Sequence, residues 1–137
     1  MNKTQIKIAL PIIIEGIIFS LAVKFLFNGC GPKDDGSFMK CHWSEQAVFA
    51  LTLALIFTGI IALFVKSKDI ARGLAFSLIP FGAVIISIPN YFIGACKMAE
   101  MRCRTTLVPG ATVSGIIILI TGLVLFFVTG NKSDSKE

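Results

Sequence analysis

Charge is scarce in this sequence. Only 15% of its residues are Asp, Glu, Lys or Arg, and these fall in short clusters. A soluble domain carries more charge, spread over its surface, so that class is excluded. Chemistry-bearing residues are few as well: one His, one Trp and one Tyr, with four Cys. There is no P-loop, no Gly-rich dinucleotide fingerprint and no zinc-finger spacing. Cys-x-x-Cys and His-x-x-x-His are also missing. The enzymes and binding modules that those motifs announce are set aside. The net charge of +5 points to basic residues flanking membrane spans beside anionic lipid, and not to nucleic acid.

What is abundant is apolar sequence, 55% of the 137 residues, with a mean hydropathy of +0.83. It forms four runs long enough for a hydrocarbon core of about 30 Å at about 1.5 Å per residue. The spans predicted are 6–27, 46–65, 73–95 and 107–130, with polar loops at 28–45 and 96–106 and a disordered tail at 131–137. Lys66-Ser67-Lys68-Asp69-Ile70-Ala71-Arg72 is a basic connector. One all-α integral membrane domain, a four-helix bundle, follows.

The two halves match. Each runs span, Cys, insert, Met-basic-Cys-basic and span, with Phe27-Asn28-Gly29-Cys30 answering Phe92-Ile93-Gly94-Ala95-Cys96. Two spans per half make this a parallel repeat of two helical hairpins about an axis along the membrane normal. Both Cys-bearing loops then share one face. The opposite face carries Lys3, Lys7, Lys66, Lys68, Arg72, Lys132 and Lys136. That excess puts both termini in the cytoplasm and the loops outside, where cysteines meet oxidising conditions. Leu26-Phe27-Asn28-Gly29-Cys30 has some likeness to a lipoprotein cleavage site, but Phe27 and Asn28 suit such a site poorly.

Cys30, Cys41, Cys96 and Cys103 allow three disulfide pairings. The repeat argues for Cys30–Cys41 and Cys96–Cys103, each stapling a loop by about 2–3 kcal/mol in the chain-entropy model. Two active alternatives stay open. Met39, Cys41, His42, Met98, Met101 and Cys103 form a soft donor set suited to Cu(I) or haem iron, although Lys40, Lys97, Arg102 and Arg104 repel a cation. The same basic neighbours favour thiol–disulfide exchange. His42 and Trp43 also read as an interfacial anchor, and the methionines as apolar plugs.

Glu15 lies midway along the first span, where an ionised group costs about 2.5–3.5 kcal/mol on insertion scales. It must face protein, with Ser77, Ser87, Thr58 and Thr112 as candidate partners within the chain, or else a partner subunit. Lys24, nine residues on, points to the opposite side of the helix and cannot pair with it. Pro89-Asn90-Tyr91 breaks the third span near its end, as a proline bend or a kink over a polar vestibule. Gly16-x-x-x-Ser20, Gly110-x-x-x-Ser114 and Ala111-x-x-x-Gly115 offer small-residue faces for close packing, within the bundle or against another protein.

Met39-Lys40-Cys41-His42-Trp43 and Met101-Arg102-Cys103-Arg104, set among four spans, resemble the small bacterial membrane proteins catalogued as domain of unknown function 4418. The resemblance implies a bacterial plasma membrane and four helices. It also implies work beside an ABC exporter of the FtsX-like or MacB-like kind, and it supplies no reaction. The expectation is a non-enzymatic accessory subunit without cofactor, partnered by an ABC permease or by copies of itself. The alternative is a membrane thiol–disulfide oxidoreductase passing electrons to a quinone, or a copper or haem handler.

Overall fold

The computed structural model describes residues 3–27, 31–94 and 103–131, and within them every side chain except those of Thr4, Cys41, Lys68 and Cys103. Among these residues the chain is all helical, with no strand. Helix α1 is Lys3–Phe25, α2 is Lys40–Phe64, α3 is Lys68–Ser87 and α4 is Val108–Asn131. One π-helical turn, Ile88–Phe92, continues α3, and another, Cys103–Leu107, leads into α4. Four stretches are long and apolar enough to cross a membrane: Gln5–Phe25, His42–Phe64, Asp69–Phe92 and Arg104–Asn131.

These helices are apolar nearly all round, so amphipathicity cannot orient them; residue size does. Along α3 the buried positions are Ala71, Ala75, Leu78, Gly82 and Ile85, and along α4 they are Ala111, Gly115, Ile118, Gly122, Leu125 and Thr129, with Ser114 beside the row. Steps of alternately four and three residues give the 3.5-residue seam of helices that pack side by side. Small residues recur on each seam. In lipid, where no hydrophobic force draws helices together, close backbone approach supplies the attraction.

α1 packs along α2 and α3 along α4, with lighter contact between the two pairs. A Cβ on Gly115 would lie 2.8 Å from the Gly82 carbonyl oxygen, and one on Gly82 would lie 2.7 Å from that of Gly115. On the other pair, a Cβ on Gly16 would meet Ile56 Cγ1 at 2.6 Å. Gly110 is covered by the Phe27 ring, which ties the end of α1 to the start of α4. The small-residue faces are therefore filled from within the bundle.

The polar stretch before the second span is shorter than its composition suggests, because α2 starts at Lys40 and takes in Cys41 to Glu45. Lys40-Cys-His-Trp-Ser-Glu contains no Gly or Pro to stop a helix, so the chain coils before it reaches the apolar run. The break lies earlier, in the turn from Lys33 to Ser37, where Gly36 adopts φ +79°. The end of the bundle formed by this turn, the start of α2, Ile88–Phe92 and the start of α4 is termed the cap end. The other, where the Gln5 amide donates to the Val65 carbonyl, is the base end.

Candidate functional site

The cap end holds most of the residues singled out in the sequence. Met39 stands at the N-cap of α2 in extended conformation (φ −76°, ψ 162°). Cys41 and His42 lie in the first helical turn. The His42 ring stacks on Phe38 at 4.3 Å between centroids, 22° from parallel, and meets Trp43 edge-on at 5.9 Å. Phe38, Trp43, Tyr91 and Phe92 are exposed around this end. In the preceding turn the Ser37 hydroxyl and backbone N–H both donate to Asp35, at 2.8 and 3.2 Å. The hydroxyl bond, then the backbone bond, hold the Asp35 carboxyl below its usual range. Cys30, Cys96, Met98, Met101 and the side chains of Cys41 and Cys103 lie outside the described residues, and with them both expected bridges and most of the soft donor set. Among the described residues no cluster of His, Cys, Asp and Glu could hold a metal ion.

An ion pair sits just beneath the cap. Lys24, near the end of α1, reaches Glu45 Oε1 on α2 at 3.5 Å, and its Nζ lies 4.7 Å from the centre of the Phe49 ring. Its side chain is 38% exposed and that of Glu45 11%, so the acid is the more desolvated partner. Nothing in the sequence reading paired these two, because Glu45 had been placed in the loop. The legible signal was an acid and a base flanking the connection between two spans that must turn back on each other. Beside them, the buried Ser44 hydroxyl donates to the Gly94 carbonyl at 3.4 Å, joining α2 to the end of the π turn.

The third cluster is in the middle of the membrane. Glu15 Oε1 accepts from the Thr121 hydroxyl of α4 at 2.5 Å, and Oε2 is buried with no hydrogen-bond partner among the described residues. This contact bridges the two helix pairs where their packing is light. The partners proposed from sequence are all engaged with their own helices. Thr58 donates to the Ala54 carbonyl, Ser77 to Leu74, Ser87 to Ala83 and Thr112 to Val108, at 2.7–2.8 Å. A hydroxyl in a helix already has a nearby carbonyl to satisfy it. Which one turns outward depends on the neighbour that comes alongside, and that is a tertiary property.

Pro89 lies within a single π turn, closed by the Ile93 N–H donating to the Ile88 carbonyl at 3.0 Å. The Asn90 side-chain amide donates to the Ile86 carbonyl at 2.7 Å and approaches the Thr112 hydroxyl of α4 at 3.4 Å. The bend thus supplies its own polar partners and a tie to α4.

The profile of a domain of unknown function, DUF4418, matches residues 12–128. The chain belongs to the DUF4418 family. The match covers all four helices, the first and last in part. No curated protein and no solved structure matches the chain.

Proposed function

We propose that this DUF4418 protein is a non-enzymatic accessory subunit of a bacterial plasma-membrane complex, an ABC exporter of the FtsX-like or MacB-like kind. In this reading two parallel-repeat hairpins place both termini in the cytoplasm. The segments 28–45 and 96–106 form a cap outside, stapled by Cys30–Cys41 and Cys96–Cys103. The observation that carries the reading is the contrast between core and rim. Most hydroxyls described inside the spans bond back to their own helices and Thr121 turns to Glu15, whereas Phe38, Trp43, Tyr91 and Phe92 stand 50%, 60%, 85% and 73% exposed around the cap end. A bundle that satisfies most of its own hydroxyls suits a scaffold, and Trp43 and Tyr91, apolar rings with a polar handle, suit a rim that meets another protein or the headgroup layer.

The test is photo-crosslinking from positions 43 and 91 in the native host. The expected adduct joins the chain to an ABC permease, and a dimer of the chain would support a homo-oligomer instead. A clean monomer after crosslinking and mild-detergent purification counts against a subunit role.

One observation favours a second reading, a thiol–disulfide oxidoreductase. Cys41 is the second residue of α2 and Cys103 begins the π turn before α4, so both stand at helix starts. Cysteines that exchange disulfides in other proteins commonly stand at such starts. Non-reducing peptide mapping separates the two: bridges that resist mild reductant support the staple, and labile or mixed pairings support exchange chemistry.

A further inference from the structure

We infer that Arg72 and the last turn of α4 form a binding site for the phosphate of an anionic phospholipid at the base end. Arg72 lies in the first turns of α3 and is exposed, and its guanidinium is held on α4 from two sides. Its Cζ lies 4.6 Å from the centre of the Phe126 ring. Its Nη2 lies so close to Gly130 that a Cβ there would stand 2.9 Å away. Phe126 and Gly130 are four residues apart, hence on one face of α4. Ring and glycine together make a shelf on which a planar cation lies flat.

The shelf covers a face of the guanidinium and leaves its N–H edge unused. No hydrogen bond or ion pair reaches Arg72 among the described residues. Asp69 is the one acid described at this end, against Lys3, Lys7, Lys66 and Arg72. A fixed, planar fork with free donors matches two oxygens of a phosphate better than a mobile ammonium does. The source of that phosphate follows from the surroundings. Phe76, one turn deeper along α3, is 57% exposed and meets the Phe126 ring at 5.9 Å. Below the cation there is thus bare apolar surface for an acyl chain, in a protein whose helices are built to span lipid. Phosphate above and hydrocarbon below are the two ends of a phospholipid.

Native mass spectrometry of the full chain in neutral detergent tests this, with phosphatidylglycerol and phosphatidylcholine of matched chains. Wild type should retain phosphatidylglycerol about fivefold better, the ratio that about 1 kcal/mol per basic group gives. R72Q should lose that preference, R72K should fall below wild type, and G130A, which displaces the guanidinium, should weaken it too. Circular dichroism checks that each variant folds, and if R72Q does not, G130A decides. Equal retention of the two lipids by wild type overturns the inference, as does an undiminished preference in R72Q or G130A. R72K matching wild type would reduce the site to diffuse surface charge. Displacement of phosphatidylglycerol by millimolar inorganic phosphate would assign the site to a free anion.

Discussion

The two helix pairs are built on different principles. In α3–α4, glycine faces glycine across the seam, and each would-be Cβ meets the other's backbone carbonyl. In α1–α2, a Cβ on Gly16 or Gly59 would meet an isoleucine Cγ1 at 2.6 Å, and the nearest backbone atom of the facing helix stands farther off, at 3.3 Å. Their polar content differs as well. The first pair carries Glu15 midway along α1 and Lys24 and Glu45 near the cap end, whereas the second has its charges, Lys68, Asp69 and Arg72, in the first turns of α3 and none from Gly73 to Phe92 or from Val108 to Asn131. One pair closes backbone on backbone and is charged only at its base end; the other closes against side chains and carries charge along its length. Glu15–Thr121 and Ser44–Gly94 are two of the places where they are tied together.

The largest expected effect follows from that difference. G115A puts a Cβ against Ile86 and 2.8 Å from the Gly82 carbonyl oxygen and should destabilise by about 3 kcal/mol, the upper range for overpacking. G16A should cost less, about 1 kcal/mol, the lower end of that range, because the nearest facing backbone atom stands 3.3 Å from the added Cβ. Unfolding by sodium dodecyl sulfate, followed by circular dichroism, measures both. Equal costs would erase the distinction between the pairs.

Next comes the Lys24–Glu45 pair. A double-mutant cycle through K24Q and E45Q should give a coupling of up to about 1 kcal/mol, since half-exposed Lys24 is partly screened. T121V should be smaller, about 0.6 kcal/mol, the average for a hydrogen bond between membrane helices. A larger loss would mean that Glu15 relies on Thr121 to remain in the span.

Sequence reading reached some of this and missed the rest for physical reasons. The spans are local, written in uninterrupted apolar runs, and so could be read directly. The small residues at Gly16, Ala111 and Gly115 were legible as a packing face, but not what covers them. An apolar helix gives the same pattern whether its small face meets a sister helix or a partner protein. The start of α2 was missed because polarity was taken as a sign of loop, whereas Lys40 to Glu45 are polar and still helical. Thr121 escaped for a deeper reason. Its partner lies 106 positions away, and only the apposition of α1 and α4 selects it over Thr58 or Thr112.

The smallest effect concerns the cap turn. Asp35 has a lowered carboxyl pKa in the folded chain, so the turn's contribution is present above the ordinary carboxylate range and lost as pH falls through the folded value. The Ser37 amide resonance should move with that titration, and S37A, which keeps the backbone N–H, should bring Asp35 part of the way back to the usual range. An unmoved resonance would mean that the hydrogen bond does not persist in solution.

The placement of both loops on one outer face is tested most directly by an impermeant maleimide on intact cells, with S37C, T105C and S67C read against the unsubstituted chain. The account predicts labelling at positions 37 and 105 in intact cells, and at 67 only after lysis. Labelling at 67 in intact cells, or at only one of 37 and 105, would contradict it.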